Sequence, residues 1–233
     1  MNVRAVVFDI GGVLEITPST DWRRSWEHRL GLGPGGIDCR LAAVWAAGAV
    51  GGLTEAGVRA GISGLLDLDA RATDAFLTDL WDEYLGSPNT VLVDFVRKLP
   101  VSFPGARLGV LSNSFAGAGE REEAAYGYSA LFEEIVYSHE CGLLKPDPRA
   151  YALVCDRLGV RPGDCLFVDD AEANTTAAEA FGMRTLLFRG IEDTARTIAA
   201  VTAHLAAAPA PLAEERATAG ERRHPGTPTG SGG

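Results

Sequence analysis

The sequence predicts an α/β fold in which a parallel sheet is interrupted, after its first strand, by an all-helical insertion. Short apolar runs alternate with helical patterns in residues 1–14 and 89–206, which is typical of a parallel sheet built from βαβ units. Residues 15–88 show only helical spacing. Residues 207–233 are rich in Ala, Pro, Gly and Thr, so we expect a disordered tail there.

The composition is that of a globular protein with an acidic balance. The 233 residues are 46% hydrophobic and 22% charged, with a formal net charge of −10. Such a charge does not favour nucleic acid or an anionic membrane as partner. No apolar run is long enough to span a bilayer, and we see no secretory signal. The four cysteines lack metal-ligand or redox spacing, so we expect reduced thiols and a cytoplasmic protein.

The first strand is predicted to end at Asp9. It is an apolar run, residues 3–8, and the pair Gly11 and Gly12 follows closely. In open α/β sheets, ligands bind beyond the carboxyl ends of the strands. The two glycines allow a tight turn and leave N–H groups near whatever Asp9 faces.

Four helices are predicted in the insertion, and no strand. Helical spacing is clear over residues 21–30 and weaker from Leu41 to Gly48. Thr54 and Asp69 are predicted to cap the third and fourth helices. We expect most of the tryptophans to form a small core within this segment; they are Trp22, Trp26, Trp45 and Trp81.

Beyond residue 88, the pattern alternates between helix and strand. The predicted strands cover residues 107–111, 135–137, 165–168 and 184–188. The predicted helices cover residues 91–99 and 119–128, a segment starting at Pro148, a segment ending at Gly182, and a last segment reaching about Leu205.

Polar residues of complementary kinds follow the strand ends. They are Asp9, Ser112 and Asn113, the loop residue Lys145, and Asp169 and Asp170 with Asn174 four residues on. Parallel strands place their carboxyl ends on one edge, so these groups can converge. Carboxylates can hold Mg²⁺, hydroxyl and amide groups can hold phosphate oxygens, and an aspartate can form an aspartyl-phosphate. Taken singly, Ser112 and Asn113 are more typical of a strand-ending turn, Lys145 of a surface lysine, and Asp169 and Asp170 of a helix cap. The combination of all the motifs, in this order at the strand ends, is what these explanations do not account for.

The order of these motifs resembles the haloacid dehalogenase (HAD) superfamily. The match consists of an apolar run with Asp9, a run ending in Ser112, Lys145 before a proline, and a run ending in Asp169 and Asp170. It covers residues 3–189 and implies a Rossmann-like core with the insertion as a helical cap. The stretches Gly-Leu-Leu-Lys-Pro-Asp-Pro and Phe-Val-Asp-Asp are similar to sugar-phosphate phosphatases and to the phosphatase domain of epoxide hydrolases.

The resemblance implies a role for each residue at the sheet edge. Asp9 is then the nucleophile, and Asp9, Asp170 and the Gly11 carbonyl are the Mg²⁺ ligands. Lys145 stabilises Asp9 and the phosphoryl charge.

Further residues have binding or supporting roles by the same resemblance. Ser112, Asn113 and the Gly12 N–H bind the phosphoryl group. Asp169 supports its neighbour in the metal site, and Asn174 orients the lysine.

One position departs from the family pattern. HAD phosphatases usually carry a second Asp two residues after the nucleophile, as general acid and base, whereas this chain has Gly11. Glu15 and His28 are two other residues near the start of the insertion that can carry a proton. The sequence therefore leaves the acid/base group open.

The leading hypothesis is a Mg²⁺-dependent phosphatase acting on a small phosphorylated metabolite. One alternative is a 2-haloacid dehalogenase, which lacks the second Asp and uses an arginine and aromatics near the cap; the candidates are Trp22, Arg23, Arg24 and Trp26. The Asp169–Asp170 pair counts against it, because a dehalogenase needs no metal. A second alternative is a non-catalytic relative that binds a phosphorylated ligand. The sequence indicates no oligomeric state.

Overall fold

The computed structural model describes residues 3–207. The strands in chain order are β1 (Ala5–Phe8), β2 (Glu15–Ile16), β3 (Ser87–Pro88), β4 (Arg107–Ser112), β5 (Glu134–Tyr137), β6 (Cys165–Asp169) and β7 (Arg184–Leu187). The helices are α1 (Trp22–Arg29), α2 (Gly36–Ala49), α3 (Glu55–Leu66), α4 (Ala70–Leu85), α5 (Thr90–Ser102), α6 (Ala118–Tyr126), α7 (Ser138–Cys141), α8 (Pro148–Arg157), α9 (Glu172–Phe181) and α10 (Thr194–Ala206).

A five-stranded parallel sheet organises the protein, in the order β5-β4-β1-β6-β7. The first strand lies at its centre, because Phe8 of β1 pairs with Val110 of β4 and with Val168 of β6. The predicted parallel α/β fold is therefore confirmed. This order places the ends of β4, β1 and β6 side by side.

Alternate residues of the central strand enter opposite faces of the sheet, as the strand period requires. Val6 and Phe8 pack with buried residues of α5 and α10 on one face. Ala5 and Val7 pack with buried residues of α8 and α9 on the other. The sheet is thus buried on both faces, which fixes its register and the positions of its strand ends.

Helices α1–α4, which we call the helical insert, pack around an apolar cluster that also includes Ala116 and Ala118 from the segment after β4. Trp22 and Trp26 each pack edge-on against Phe76 at centroid distances of 5.1 and 5.3 Å, and Trp81 is buried in the same cluster. The predicted caps are present, since Thr54 and Asp69 accept hydrogen bonds from the backbone N–H groups three residues on.

The insert joins the sheet through a short antiparallel ribbon. Glu15 of β2 pairs with Pro88 of β3, and Ile16 pairs with Ser87. The prediction of no strand in residues 15–88 is therefore wrong. Strands of two residues are too short to show any periodicity, and a proline rarely signals a strand.

Further contacts hold the insert against the sheet on the side opposite the ribbon. The Ala49 carbonyl, at the end of α2, accepts a hydrogen bond of 2.8 Å from Ser138 Oγ. The neighbouring Gly48 carbonyl accepts one of 3.2 Å from Ala116 N. The insert and the sheet edge therefore face each other across a partly open cleft.

The sequence also led to expectations about membrane spans, cysteines and the C-terminal tail. Within residues 3–207, no helix combines the length and the apolar character needed to cross a membrane. The four cysteines of this part of the chain are free. The predicted disordered tail, residues 207–233, lies outside the described residues except for Ala207.

Candidate active site

Three polar side chains lie at neighbouring strand ends. Asp9 directly follows β1, Ser112 ends β4 and Asp169 ends β6. Each is nearly buried, although charged and polar groups are rarely buried without partners. The sheet edge therefore concentrates polar chemistry where most of the surrounding chain is apolar.

Lys145 links two of these carboxylates. Its side chain is 0% exposed, and its Nζ lies 2.8 Å from Asp9 Oδ1 and 2.7 Å from Asp169 Oδ2. Asn174 Nδ2 donates to Asp169 Oδ1 at 3.0 Å, and Ala171 N donates to the same oxygen at 2.8 Å. Asn174 thus acts on the lysine through Asp169 rather than by touching it.

The carboxylates of Asp9, Asp169 and Asp170 form a tight cluster. One oxygen from each lies within 4.8 Å of the others. Burial raises the pKa of Asp9 to about 7, and the charge of Asp169 adds to this rise against the attraction of Lys145. Asp169 is saturated with hydrogen bonds, whereas Asp170 faces outward. Asp9 and Asp170 are therefore the members of the cluster free to bind a cation.

The two glycines after Asp9 have different steric environments. Gly12 has φ +74°, and a Cβ built on it would lie 2.1 Å from Asp170 Oδ2, so the close approach of Asp170 requires a glycine there. A Cβ on Gly11 would have no atom within 4 Å. The position where family phosphatases carry a second Asp is therefore open space.

Ser112 and Asn113 differ in what their side chains contact. Ser112 is buried at the end of β4 and lines the cavity described below. Asn113 Oδ1 accepts from Lys145 N at 2.7 Å, and its Nδ2 donates to Lys145 O at 2.9 Å. The Asn113 amide therefore fixes the backbone that carries Lys145, and only its backbone N–H is left for the expected contact with phosphate.

A cavity of about 440 Å³ separates the sheet edge from the helical insert. The wall on the side of the sheet edge includes Gly11, Ser112 and Asn113. Its other walls carry four aromatic residues and four carboxyl groups; these are Trp22, Trp45, Tyr84 and Phe115, and Glu15, Asp38, Glu83 and Glu122. Among the residues proposed for a halide site, Trp22 and Arg23 line this cavity, whereas Arg24 and Trp26 do not.

Two carboxyl groups that line the cavity are buried, and neither forms an ion pair with a residue that the structure describes. Glu15 is 1% exposed, and its Oε2 has no hydrogen-bond partner among the described residues. Burial raises the pKa of Glu15 to about 9, with the nearby Glu122 adding to the rise. Burial likewise raises the pKa of Glu122 to about 7, although Tyr137 donates a hydrogen bond of 2.7 Å to it.

Of the two acids considered for the missing proton donor, only Glu15 reaches the cavity. His28 is exposed on α1 and faces a different surface. The sequence did not single out Glu122. It lies in a Glu-rich helix, and no local signal distinguishes the one glutamate that faces the interior.

Comparisons with known proteins identify the family of this chain. Residues 3–182 match the haloacid dehalogenase-like hydrolase family. A phosphatase from Mycobacterium tuberculosis is 32% identical over 209 residues, which cover 80% of this chain and 88% of that protein. Bifunctional epoxide hydrolase 2 from Sus scrofa is 26% identical over 225 residues, which cover 87% of this chain and 39% of that protein. The chain thus spans well under half the length of the latter.

A solved structure supports the fold. A HAD family enzyme from Bacteroides thetaiotaomicron, crystallised in complex with magnesium and inorganic phosphate, has a TM-score of 0.67 and 21% identity. The superposition covers 81% of this chain and 96% of that one. With the family match over residues 3–182, the chain belongs to the haloacid dehalogenase-like hydrolases.

Proposed function

We propose that this hydrolase is a Mg²⁺-dependent phosphatase that removes phosphate from a small metabolite through an aspartyl-phosphate on Asp9. The observation that carries the proposal is the buried Lys145 between Asp9 and Asp169, with Asp170 beside them. This arrangement places a nucleophilic carboxylate beside a buried ammonium group, with a further carboxylate next to them. The residues 15–88 then act as the cap that encloses the substrate.

The hydrogen bonds of Asp9 indicate which oxygen attacks. Its Oδ1 accepts from Lys145 Nζ and, at 2.8 Å, from Ile10 N. The other oxygen, Oδ2, is then the one that bonds to phosphorus. The bond from phosphorus to the leaving oxygen breaks, and the leaving group departs as an oxyanion that takes a proton from solvent. Water next attacks the phosphorus of the aspartyl-phosphate, which releases inorganic phosphate and restores the Asp9 carboxylate.

Asp9, Asp170 and the Gly11 carbonyl would hold Mg²⁺. They fit a hard cation, because oxygen ligands cluster there and Gly12 lacks the Cβ that would displace Asp170. Bound there, Mg²⁺ would supply positive charge next to the phosphoryl oxygens. The side chains of Ser112 and Lys145 and the backbone N–H groups of Gly12 and Asn113 would contact the same oxygens.

Magnesium affinity should depend on pH through Asp9. The pKa of Asp9 is about 7 without metal, and the carboxyl must lose its proton to bind a cation. We therefore expect affinity to rise by up to about tenfold per pH unit below pH 7 and to level off above it. Calorimetry in two buffers of different ionisation enthalpy measures both the affinity and the proton released.

Asp170→Asn is the control for this titration. It keeps the size of the side chain but removes a ligand charge, so we expect weak binding at every pH. Affinity that stays constant from pH 5.5 to 8 in the wild type would contradict the assignment of Asp9 as a ligand.

Gly11 should determine which phosphate esters react. A phosphatase without an acid two residues after its nucleophile cannot protonate a poor leaving group from that position, so aryl, acyl and anomeric phosphates should react much faster than alkyl phosphates. Gly11→Asp restores the carboxyl in open space. We expect faster alkyl phosphate hydrolysis, with a ceiling of about 10²- to 10⁴-fold, the usual contribution of a positioned acid.

Gly12→Ala is the steric contrast to Gly11→Asp. Its Cβ would meet Asp170 Oδ2, so metal-dependent turnover should fall. If the wild type hydrolyses aryl and alkyl phosphates equally fast, an acid is already present and Gly11 does not limit the reaction. Glu15 is then the residue to replace next.

A second candidate function is hydrolysis of a carbon–halogen bond. Gly11 favours it, and Trp22 and Arg23 line the cavity as a halide site would need. The test is a screen of phosphorylated metabolites and 2-haloacids with Mg²⁺ and with excess chelator. Turnover of a 2-haloacid in chelator would support this second function. Ligand binding without any turnover would indicate a non-catalytic relative.

A further inference from the structure

Acidic groups outnumber basic groups in the lining of the cavity. Four carboxyl groups line it against a single guanidinium, that of Arg23. This guanidinium is already shared, because its Nη1 lies 3.0 Å from Glu83 Oε1 and its Nε lies 3.5 Å from Asp38 Oδ1. No second arginine and no lysine reach the cavity lining among the described residues. A further anionic group on a ligand would therefore be repelled.

Glu15 is the most exceptional of these carboxyls. It is buried, it lines the cavity, and its Oε2 has no partner among residues 3–207. A buried polar atom without a partner is costly, and native structures usually satisfy such atoms with water, an ion or a ligand. Because Glu15 belongs to the lining of the cavity, a ligand bound there can supply such a partner.

The aromatic residues of the cavity already accommodate a cation. The Arg23 guanidinium lies 4.6 Å from the ring centroid of Trp22, within the range of a cation–π contact. Trp45 and Phe115 form an edge-on pair in the same lining, with centroids 5.5 Å apart. Aromatic faces beside carboxyl groups are the surroundings in which proteins bind ammonium groups.

We propose that the substrate is a phosphate monoester whose alcohol portion carries an ammonium group. This inference rests on the proposed phosphatase function and assigns the substrate class of the same cavity. The phosphate would lie at Ser112, at the sheet edge, and the ammonium group would lie between Glu15 and the aromatic walls. A neutral polyol could hydrogen-bond to the free oxygen of Glu15, but only a cation would also favour the ionised form of this carboxyl.

Three aryl phosphates of similar size test the proposal without requiring a general acid. They are 4-(2-aminoethyl)phenyl phosphate, which is cationic, 4-propylphenyl phosphate, which is neutral, and 4-(2-carboxyethyl)phenyl phosphate, which is anionic. We expect kcat/KM for the cationic ester to exceed that for the neutral one by about tenfold or more. The anionic ester should be the slowest of the three.

Glu15→Gln tests the role of the free carboxyl. It preserves size and hydrogen bonding but cannot ionise beside a bound ammonium group, so the preference for the cationic over the neutral ester should fall severalfold. Glu179→Gln, at an exposed position of α9, is the matched control and should keep the wild-type preference. Both variants are compared by the ratio of kcat/KM for the two esters.

The possible results distinguish a failure of the ammonium assignment from a failure of the phosphatase proposal. Hydrolysis of the neutral ester as fast as the cationic one overturns the ammonium assignment and leaves the phosphatase standing. If no ester is hydrolysed, the phosphatase proposal fails. Calorimetry then measures the binding affinities of the cationic and neutral esters, which test the ammonium assignment separately. Tighter binding of the cationic ester then supports the ligand class, and equal binding rejects it.

Discussion

Asp9→Asn is expected to lower phosphate-ester turnover by at least about 10⁴-fold while the protein stays folded, because the amide keeps the shape but cannot attack phosphorus. In the wild type, the peptide that contains Asp9 should transiently gain the mass of a phosphoryl group. Rapid quenching and mass spectrometry measure this gain. Labelling of another residue, or unchanged turnover in the variant, would exclude Asp9 as the nucleophile.

The same variant should not lose stability. Burial raises the pKa of Asp9 to about 7, above its unfolded value, so this group destabilises the fold progressively as the pH rises towards 7. Asn carries no charge to desolvate. We therefore expect Asp9→Asn to gain stability relative to the wild type between pH 5 and pH 8, as measured by urea unfolding at both values. A loss that grows with pH would mean that the pairing with Lys145 outweighs the cost of burial.

Lys145→Met should destabilise the protein by about 3–5 kcal/mol at pH 8, because it leaves two buried carboxylates without their cation. Asp9 can escape its share of the penalty by keeping its proton. Because burial already raises the folded-state pKa of Asp9 to about 7, above its unfolded value, the loss should be smaller at pH 5 than at pH 8. Urea unfolding at the two pH values measures the difference, and turnover should vanish at both.

The chain offers a matched control for this variant. Lys98 is the other lysine of the sequence, and it is exposed on α5. Lys98→Met should change stability by no more than about 0.5 kcal/mol. If both replacements changed the free energy of unfolding equally, the ion pairs of Lys145 would not contribute to stability.

The sheet and its edge could be predicted from the sequence because their signals are local. An apolar run that stops at a polar residue, as at Asp9 or Ser112, is visible within ten residues. The parallel-sheet rule then places separate strand ends together. The prediction required no knowledge of which side chains pack against which.

The remaining features depend on contacts between distant segments. The mutual pairing of Asn113 with the backbone of Lys145 joins loops 32 residues apart. The burial of Glu15 and Glu122 depends on how the insert covers the sheet edge, and most glutamates in similar local sequence are exposed. The ribbon of β2 and β3 is defined only by its pairing. The assignment of residues 15–88 as a cap and the roles of the site residues stay predictions.

The ribbon also bears on how such a protein can diversify. Because Glu15 and Pro88 are paired neighbours, the chain leaves the sheet and returns to it at nearly the same point. Residues 17–86 can therefore be lengthened, shortened or exchanged without shifting the register of β1 or β4, since the ends of the exchanged segment are already held together. Exchange of that segment would replace Trp22 and Trp45 but retain Glu15. Under the proposed function, the aromatic part of leaving-group recognition can then change while Glu15 and the residues around Asp9 stay in place.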